Sequence, residues 1–264
     1  MMESLLLRER RDKVELITLN KSKSRNSLSE AMISEVSKAL DEIGGDRSVR
    51  AVILAASGPA FCAGHDLKEL NAHRQDEDGG RAYFESIMNS CSEMMQKIVK
   101  LPVPVIAAVQ GIATAAGCQL VASCDLAIAS DTAKFATPGV DIGLFCSTPM
   151  VALARNVSRK HAMEMLLTGT MISAEDAVRI GLINRVVTAG SELDEALALA
   201  QLIAKKSPHA VITGKQAFYQ QLEMNLSDAY RYASEVMVSN LLAADAREGI
   251  CAFIEKRAPE WQEN

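Results

Sequence analysis

Between Gly111 and Ser130 the chain reads GIATAAGCQLVASCDLAIAS, almost wholly small apolar residues, with one amide, Gln119, in the middle of what reads as a buried helix. Side chains this small let a helix lie close against its neighbours, which places the stretch inside a packed core. The flanks have a different period. PVPVIAAVQG upstream reads as a strand ending at Gly111, and LAIAS (126–130) and AKFATP (133–138) read as short strands on either side of a turn.

The N-terminal part repeats this order. VELITLN (14–20) alternates with period two, AVILAAS (51–57) is a continuous apolar run, and between them residues 28–43 place apolar side chains at helical spacing, with Ser27 as the expected N-cap. A second amphipathic helix is expected near residues 82–100. From Thr148 onward the pattern predicts helices only, with starts at Ser173 and Ser207 and a long helical run from Leu226 to Lys256. The class is therefore α/β: a core over residues 1–200 and a helical C-terminal region over 201–264 that packs on the core or on a neighbouring subunit.

Composition removes several functions. With 33 acidic against 28 basic residues and a net charge of -5, no basic surplus exists to neutralise a nucleic acid backbone. Apolar stretches such as VPVIAAV fall far below the roughly 18 residues of a membrane span. Six cysteines form no C-x-x-C pair and four histidines show no i, i+4 pairing, so buried reduced thiols are expected and a metal site is not. The start MMESLLLRER has the character of neither a signal sequence nor an Arg-rich transit peptide, and its doubled methionine is expected of a trimmed N-terminus.

Two strand-to-helix turns are bare enough for chemistry. GPAFCAGHDLKEL (58–70) is a Gly-rich turn opening into a helix, and Ala115-Ala116-Gly117 opens the buried helix with almost no side chain. The first N–H groups of a helix have no internal acceptor, so each turn offers donors to an anion or a polarised oxygen. A lone turn of this kind equally serves close packing; two of them can converge on one oxygen.

These residues resemble the enoyl-CoA hydratase/isomerase (crotonase) superfamily. SGPAFCAGHDLKEL is similar to its S-G-x-x-F-(C/S)-A-G-x-D-(L/I) segment, and PVPVIAAVQGIATAAGCQLVASCD to its P-V-I-A-A-V-x-G-x-A-x-G-G-G segment. LTGTMISAEDAVRIGLINRVV and AFIEKR resemble further stretches. The resemblance implies a core of repeated ββα units, a helical C-terminal region that forms a homotrimer or dimer of trimers, and a role in fatty acid metabolism in the mitochondrial matrix. The implied ligand is a coenzyme A thioester, with no tightly bound cofactor. Its thioester oxygen would be held by the backbone N–H groups of His65 and Ala116. Ala63, Gly64, Asp66 and Leu67 would lie along the coenzyme, and Lys256 near its phosphates; Asp66 reads equally as a helix-start residue and Lys256 as a surface charge, and Arg25 is a weaker candidate.

The chain departs from the pattern where hydratases of that family carry two glutamates: Gln119 and Gly139 stand there. An amide holds water but exchanges no proton at neutral pH, and glycine offers no side chain. Ordinary hydratase activity is therefore expected to be weak or absent. Alternatives are an isomerase, hydratase or thioester hydrolase using another or an exogenous base, and a non-catalytic regulatory acyl-CoA binder. Gly139 is expected to leave room for an exogenous base or a bulkier acyl group, as in the naphthoate synthase branch, and Gln119→Glu with Gly139→Glu to gain hydration. Asp141 is expected to be a loop residue and Cys146 a structural thiol rather than a nucleophile.

Overall fold

The computed structural model describes residues 4–262, so the doubled methionine lies outside the described residues. Its elements run β1 (Leu6–Arg11), β2 (Val14–Leu19), α1 (Glu30–Gly45), β3 (Ala51–Ala56), β4 (Ala60–Cys62), α2 (Leu67–Ala72), α3 (Arg81–Lys100), β5 (Val105–Val109), β6 (Ile112–Thr114) and α4 (Ala116–Ser123). There follow β7 (Leu126–Ser130), β8 (Lys134–Ala136), α5 (Pro149–Asn156), α6 (Arg159–Thr168), β9 (Ile172–Ser173), α7 (Ala174–Arg179) and β10 (Arg185–Val187). The chain finishes on α8 (Glu192–Ala204), α9 (Pro208–Gln221), α10 (Leu226–Leu242) and α11 (Ala244–Glu255).

Strands come in consecutive pairs that divide between two sheets. In the pairs β3/β4, β5/β6 and β7/β8 the first member joins a six-stranded sheet of order β1-β2-β3-β5-β7-β10 and the second a four-stranded sheet of order β4-β6-β8-β9; β1 and β2 both lie in the larger sheet, and β9 precedes β10 in the reverse order. From β2 to β10 the larger sheet is parallel, with Leu16 opposite Ile53 and Ile106 opposite Leu126. A parallel sheet must be covered on both faces, which is why its strands are continuous apolar runs. One face carries Val52, Leu54, Val105 and Ala107 into the main core with α1, α3 and α4; the other packs Ile53, Ile106 and Ile128 against Ala196 and Ala200 of α8. These alanines let α8 approach closely.

The crotonase-like arrangement of ββα repeats is thus present, with several local differences from the sequence reading. Helix α1 is capped by Ser29, whose hydroxyl accepts from Met32 N–H, and not by Ser27. Ser27 is held elsewhere: its hydroxyl donates to Asp66, and Leu28 pairs with His65 before the helix can start. The strand read as ending at Gly111 ends at Val109, and the next three-residue strand, β6, is too short to show a period. Strands also continue after Thr148, because β9 and β10 find partners in β8 and β7 that local sequence does not reveal. The run from Leu226 to Lys256 is broken at Ala243, whose extended backbone (ψ 150°) separates α10 from α11. Starts at Ser173 and Ser207 are side-chain caps as expected.

Helix α9 is fastened to the core by a buried ion pair. The Lys215 ammonium donates to Asp125 at 2.7 Å and to the carbonyls of Ile98 and Val103, while Asp125 also accepts from the Tyr219 hydroxyl and Val105 N–H. Every polar atom of the pair has a partner, the condition under which a buried pair holds its geometry.

Candidate active site

Strands β4, β6 and β8 lie side by side and parallel, Cys62 opposite Ala113 and Thr114 opposite Ala136. Their carboxyl ends therefore point the same way, and the loops after them begin at Ala63, Ala115 and Thr137. Ligands of open α/β sheets bind outside such carboxyl ends. The loops that carry His65, Ala116 and Gly139 thus leave the sheet on the same side.

The first two loops touch. Gly64 has φ +89°, and a Cβ there would stand 3.0 Å from the Ala115 Cβ and 3.3 Å from the Ala116 nitrogen. Gly117 is packed tighter: a Cβ would fall 2.0 Å from the Cys62 carbonyl oxygen, so only glycine lets α4 start here. Ala115 itself adopts φ 50°, ψ -119°, a strained conformation for a residue with a Cβ, and is held by its N–H to the Ala136 carbonyl at 3.0 Å. Such strain costs about 1–3 kcal/mol and collects at functional sites.

The two expected donors are free. Leu28 N–H donates to the Gly64 carbonyl and Asp66 N–H to the Leu28 carbonyl, a parallel bridge that turns the N–H of the intervening His65 to the opposite side. Ala116 is the first residue of α4, where helical N–H groups have no internal acceptor. Among the described residues neither N–H has a hydrogen-bond partner. The fully buried Asn26 holds the first loop from below: its amide donates to the carbonyls of Ser57 and Ala60, and its Oδ1 accepts from Lys21 N–H. Sequence reading missed Asn26; the polar cluster KSKSRNSL, where Arg25 and Asn26 both take positive φ, was its signal.

The remaining expected residues separate into those at the site and those held elsewhere. Asp66 caps α2 through Lys68 N–H and accepts from Ser27; partial burial pulls its pKa up, but these bonds and Lys21 outweigh it and hold the carboxyl below the usual range. Ala63 is half-buried beside it and Leu67 is exposed, so both border open space. Burial lowers the His65 pKa, only partly opposed by the nearby Leu28 backbone, and both ring nitrogens are buried with no hydrogen bond of ordinary geometry among the described residues, so the imidazole is neutral at pH 7. Lys256 closes α11 in a left-handed turn, and α11 packs on α9 and α10, so within one chain it is not brought to these loops.

Gln119 is 5 % exposed, and its Oε1 is buried with no partner among the described residues, as is Thr137 Oγ1. Unpaired buried polar atoms are uncommon in folded proteins and call for a water or ligand. Gly139 corrects an expectation: it does not leave an open space. A Cβ there would stand 2.8 Å from the Leu144 carbonyl and 2.9 Å from Cys146 Sγ, which accepts the Gly139 N–H at 3.3 Å. Burial raises the Cys146 pKa, partly offset by that N–H, so the group is a protonated thiol that fills volume. Asp141 is exposed and its carboxylate lies against Gly169. Gly139→Ala should therefore lower stability by about 1–3 kcal/mol through overpacking, measured by urea denaturation. A glutamate meets the same collision, so the pair Gln119→Glu and Gly139→Glu is not expected to restore hydration by itself; an unchanged midpoint for Gly139→Ala would show that the turn yields.

Comparison with known proteins agrees with this geometry. Residues 9–264 match the family model described as Enoyl-CoA hydratase/isomerase. The chain is 49% identical over 250 residues to enoyl-CoA hydratase domain-containing protein 3, mitochondrial, of Rattus norvegicus, covering 95% of this chain and 82% of that protein. The crystal structure of a Mycobacterium smegmatis enoyl-CoA hydratase superposes with TM-score 0.93 at 50% identity, over 98% of this chain and 99% of that one. Human enoyl coenzyme A hydratase domain-containing protein 3 gives TM-score 0.93 at 46% identity, over 98% and 100%. Two touching strand-to-helix turns with unpaired donors, on a ββα core with this match along nearly its whole length, make the chain a member of the enoyl-CoA hydratase/isomerase family.

Proposed function

We propose that this protein binds a coenzyme A thioester, holds its carbonyl oxygen between the N–H groups of His65 and Ala116, and does not hydrate enoyl-CoA at an ordinary rate. The observation that carries the reading is the pair of free N–H groups on touching loops beside a place where neither Gln119 nor Gly139 supplies a carboxylate. Hydration requires one group to take a proton from water and another to manage the proton at the α-carbon. Each such group contributes about 10²- to 10⁴-fold. The oxyanion donors act on charge alone, each worth about 10²- to 10³-fold where charge develops. They favour binding of a polarised thioester and leave proton transfer without an agent. Cys146 filling the space beside Gly139 also disfavours an exogenous base there.

Assembly is the second part of the proposal. Helices α9 to α11 leave Phe218, Leu226, Leu242, Phe253 and Ile254 more than half exposed, an apolar face that a homotrimer would cover. A neighbouring copy is also what would bring Lys256 over the coenzyme phosphates. A mitochondrial location agrees with the printed name of the vertebrate relatives, and the matrix is the compartment proposed within it.

Two experiments test these statements. His65→Ala keeps its backbone donor, so calorimetric affinity for an acyl-CoA should change by less than about threefold, whereas Ala116→Pro removes a donor at the first helical position and should weaken binding by tenfold or more, to about 10²-fold. Equal loss in both, with circular dichroism unchanged, would refute the backbone role. Analytical ultracentrifugation should give a multiple of three times the 28.5 kDa chain mass, and Leu242→Glu with Phe253→Glu should shift it to the single chain; a wild-type monomer would contradict the assembly.

A further inference from the structure

A cavity of about 630 Å³ opens at the N-terminal ends of β2 and β3, and shares no residue with the loops after β4, β6 and β8. Its lining includes Arg50, Lys205, Lys206 and Trp261. Arg50 stands just before β3 and is 8 % exposed, yet its guanidinium makes one hydrogen bond, to the Arg47 carbonyl at 3.0 Å, and pairs with no carboxylate among the described residues. Removing a cation from water is costly unless a counter-charge replaces the water. Lys205 and Lys206, on the turn between α8 and α9, are exposed and form no ion pair among the described residues. Helix α9 begins at Pro208 on the same wall, its end capped by Ser207, whose hydroxyl donates to the buried Asp245, so the helix end adds no free charge there. Against these charges the lining holds one carboxylate, Asp12; Lys13 also lines the cavity but has an interaction of its own and is not counted.

We infer that this cleft binds a small phosphate-bearing anion, at a site separate from the loops proposed to hold the thioester. A phosphate or diphosphate accepts several charge-assisted hydrogen bonds at once, which matches a planar guanidinium at the back and two flexible ammonium groups at the rim. The protein as a whole is acidic, with net charge -5, so the concentration of unpaired cations here is a local feature and not a property of the surface at large.

Trp261 is the one tryptophan of the chain and its indole N–H donates to the Lys205 carbonyl at 2.9 Å, so its fluorescence reports the cleft directly. Titration of the full chain with inorganic pyrophosphate, and in parallel with ADP, should give a saturable change that weakens as salt rises. Equal affinity for both ligands identifies the phosphates as the recognised chemistry, and tighter ADP binding identifies a nucleotide. Lys205→Ala with Lys206→Ala, both exposed, should weaken binding about tenfold, and Arg50→Gln should do the same or more. Binding of a phosphate-free acyl thioester, such as an acyl-N-acetylcysteamine, measured by calorimetry should not change in the double lysine variant. No saturable response to either ligand up to about 10 mM, or an affinity unchanged in the well-folded lysine variant, would overturn the inference.

Discussion

The parallel pairing of β4, β6 and β8 is the constraint on which the site depends. Three residues apiece would make negligible strands alone; beside one another they fix the direction in which three loops leave the sheet. Two contacts then set the loops to within van der Waals distance: Gly117 against the Cys62 carbonyl, and Gly64 against Ala115 and Ala116. The strained Ala115 is the consequence, held in place by its bond to β8. Strain, close packing and free donors thus occur together because the same short sheet imposes all three.

Much of this was legible in the sequence, for identifiable reasons. The buried helix around Gln119 announced itself through small residues, and the bare turns through Gly64, Ala116 and Gly117, because a close backbone approach excludes side chains. What stayed hidden depends on partners distant along the chain. Strand β6 follows β5 after only two residues and has no period of its own; β10 exists because β7 offers an edge. Ser27 looked like a cap, but its hydroxyl is drawn to Asp66, 39 positions away. Gly139 was misread for a similar reason. A missing side chain looks like space until the residue that fills it, Cys146, is placed.

The chemistry divides along the same lines as the geometry. Backbone donors depend on the fold, so a chain that keeps the ββα core and its glycines keeps the capacity to polarise a carbonyl. Proton transfer depends on individual side chains, and at the positions the proposal assigns to it stand an amide with an unpaired oxygen and a glycine backed by a thiol. Neutral His65 and the bonded Asp66 do not make good the loss: one is buried without partners, and the other is committed to capping α2. On the proposed function, this is a family member whose binding elements and proton-transfer elements have come apart.

Deuterium exchange at the α-carbon tests that separation most directly, because it needs the oxyanion donors and a base but no water addition. A saturated acyl-CoA bound by the protein in D₂O, followed by proton NMR, should keep its α-hydrogens at the rate of the free thioester while its resonances broaden on binding. Accelerated exchange on the bound thioester would contradict the account, since it would require a base within the site.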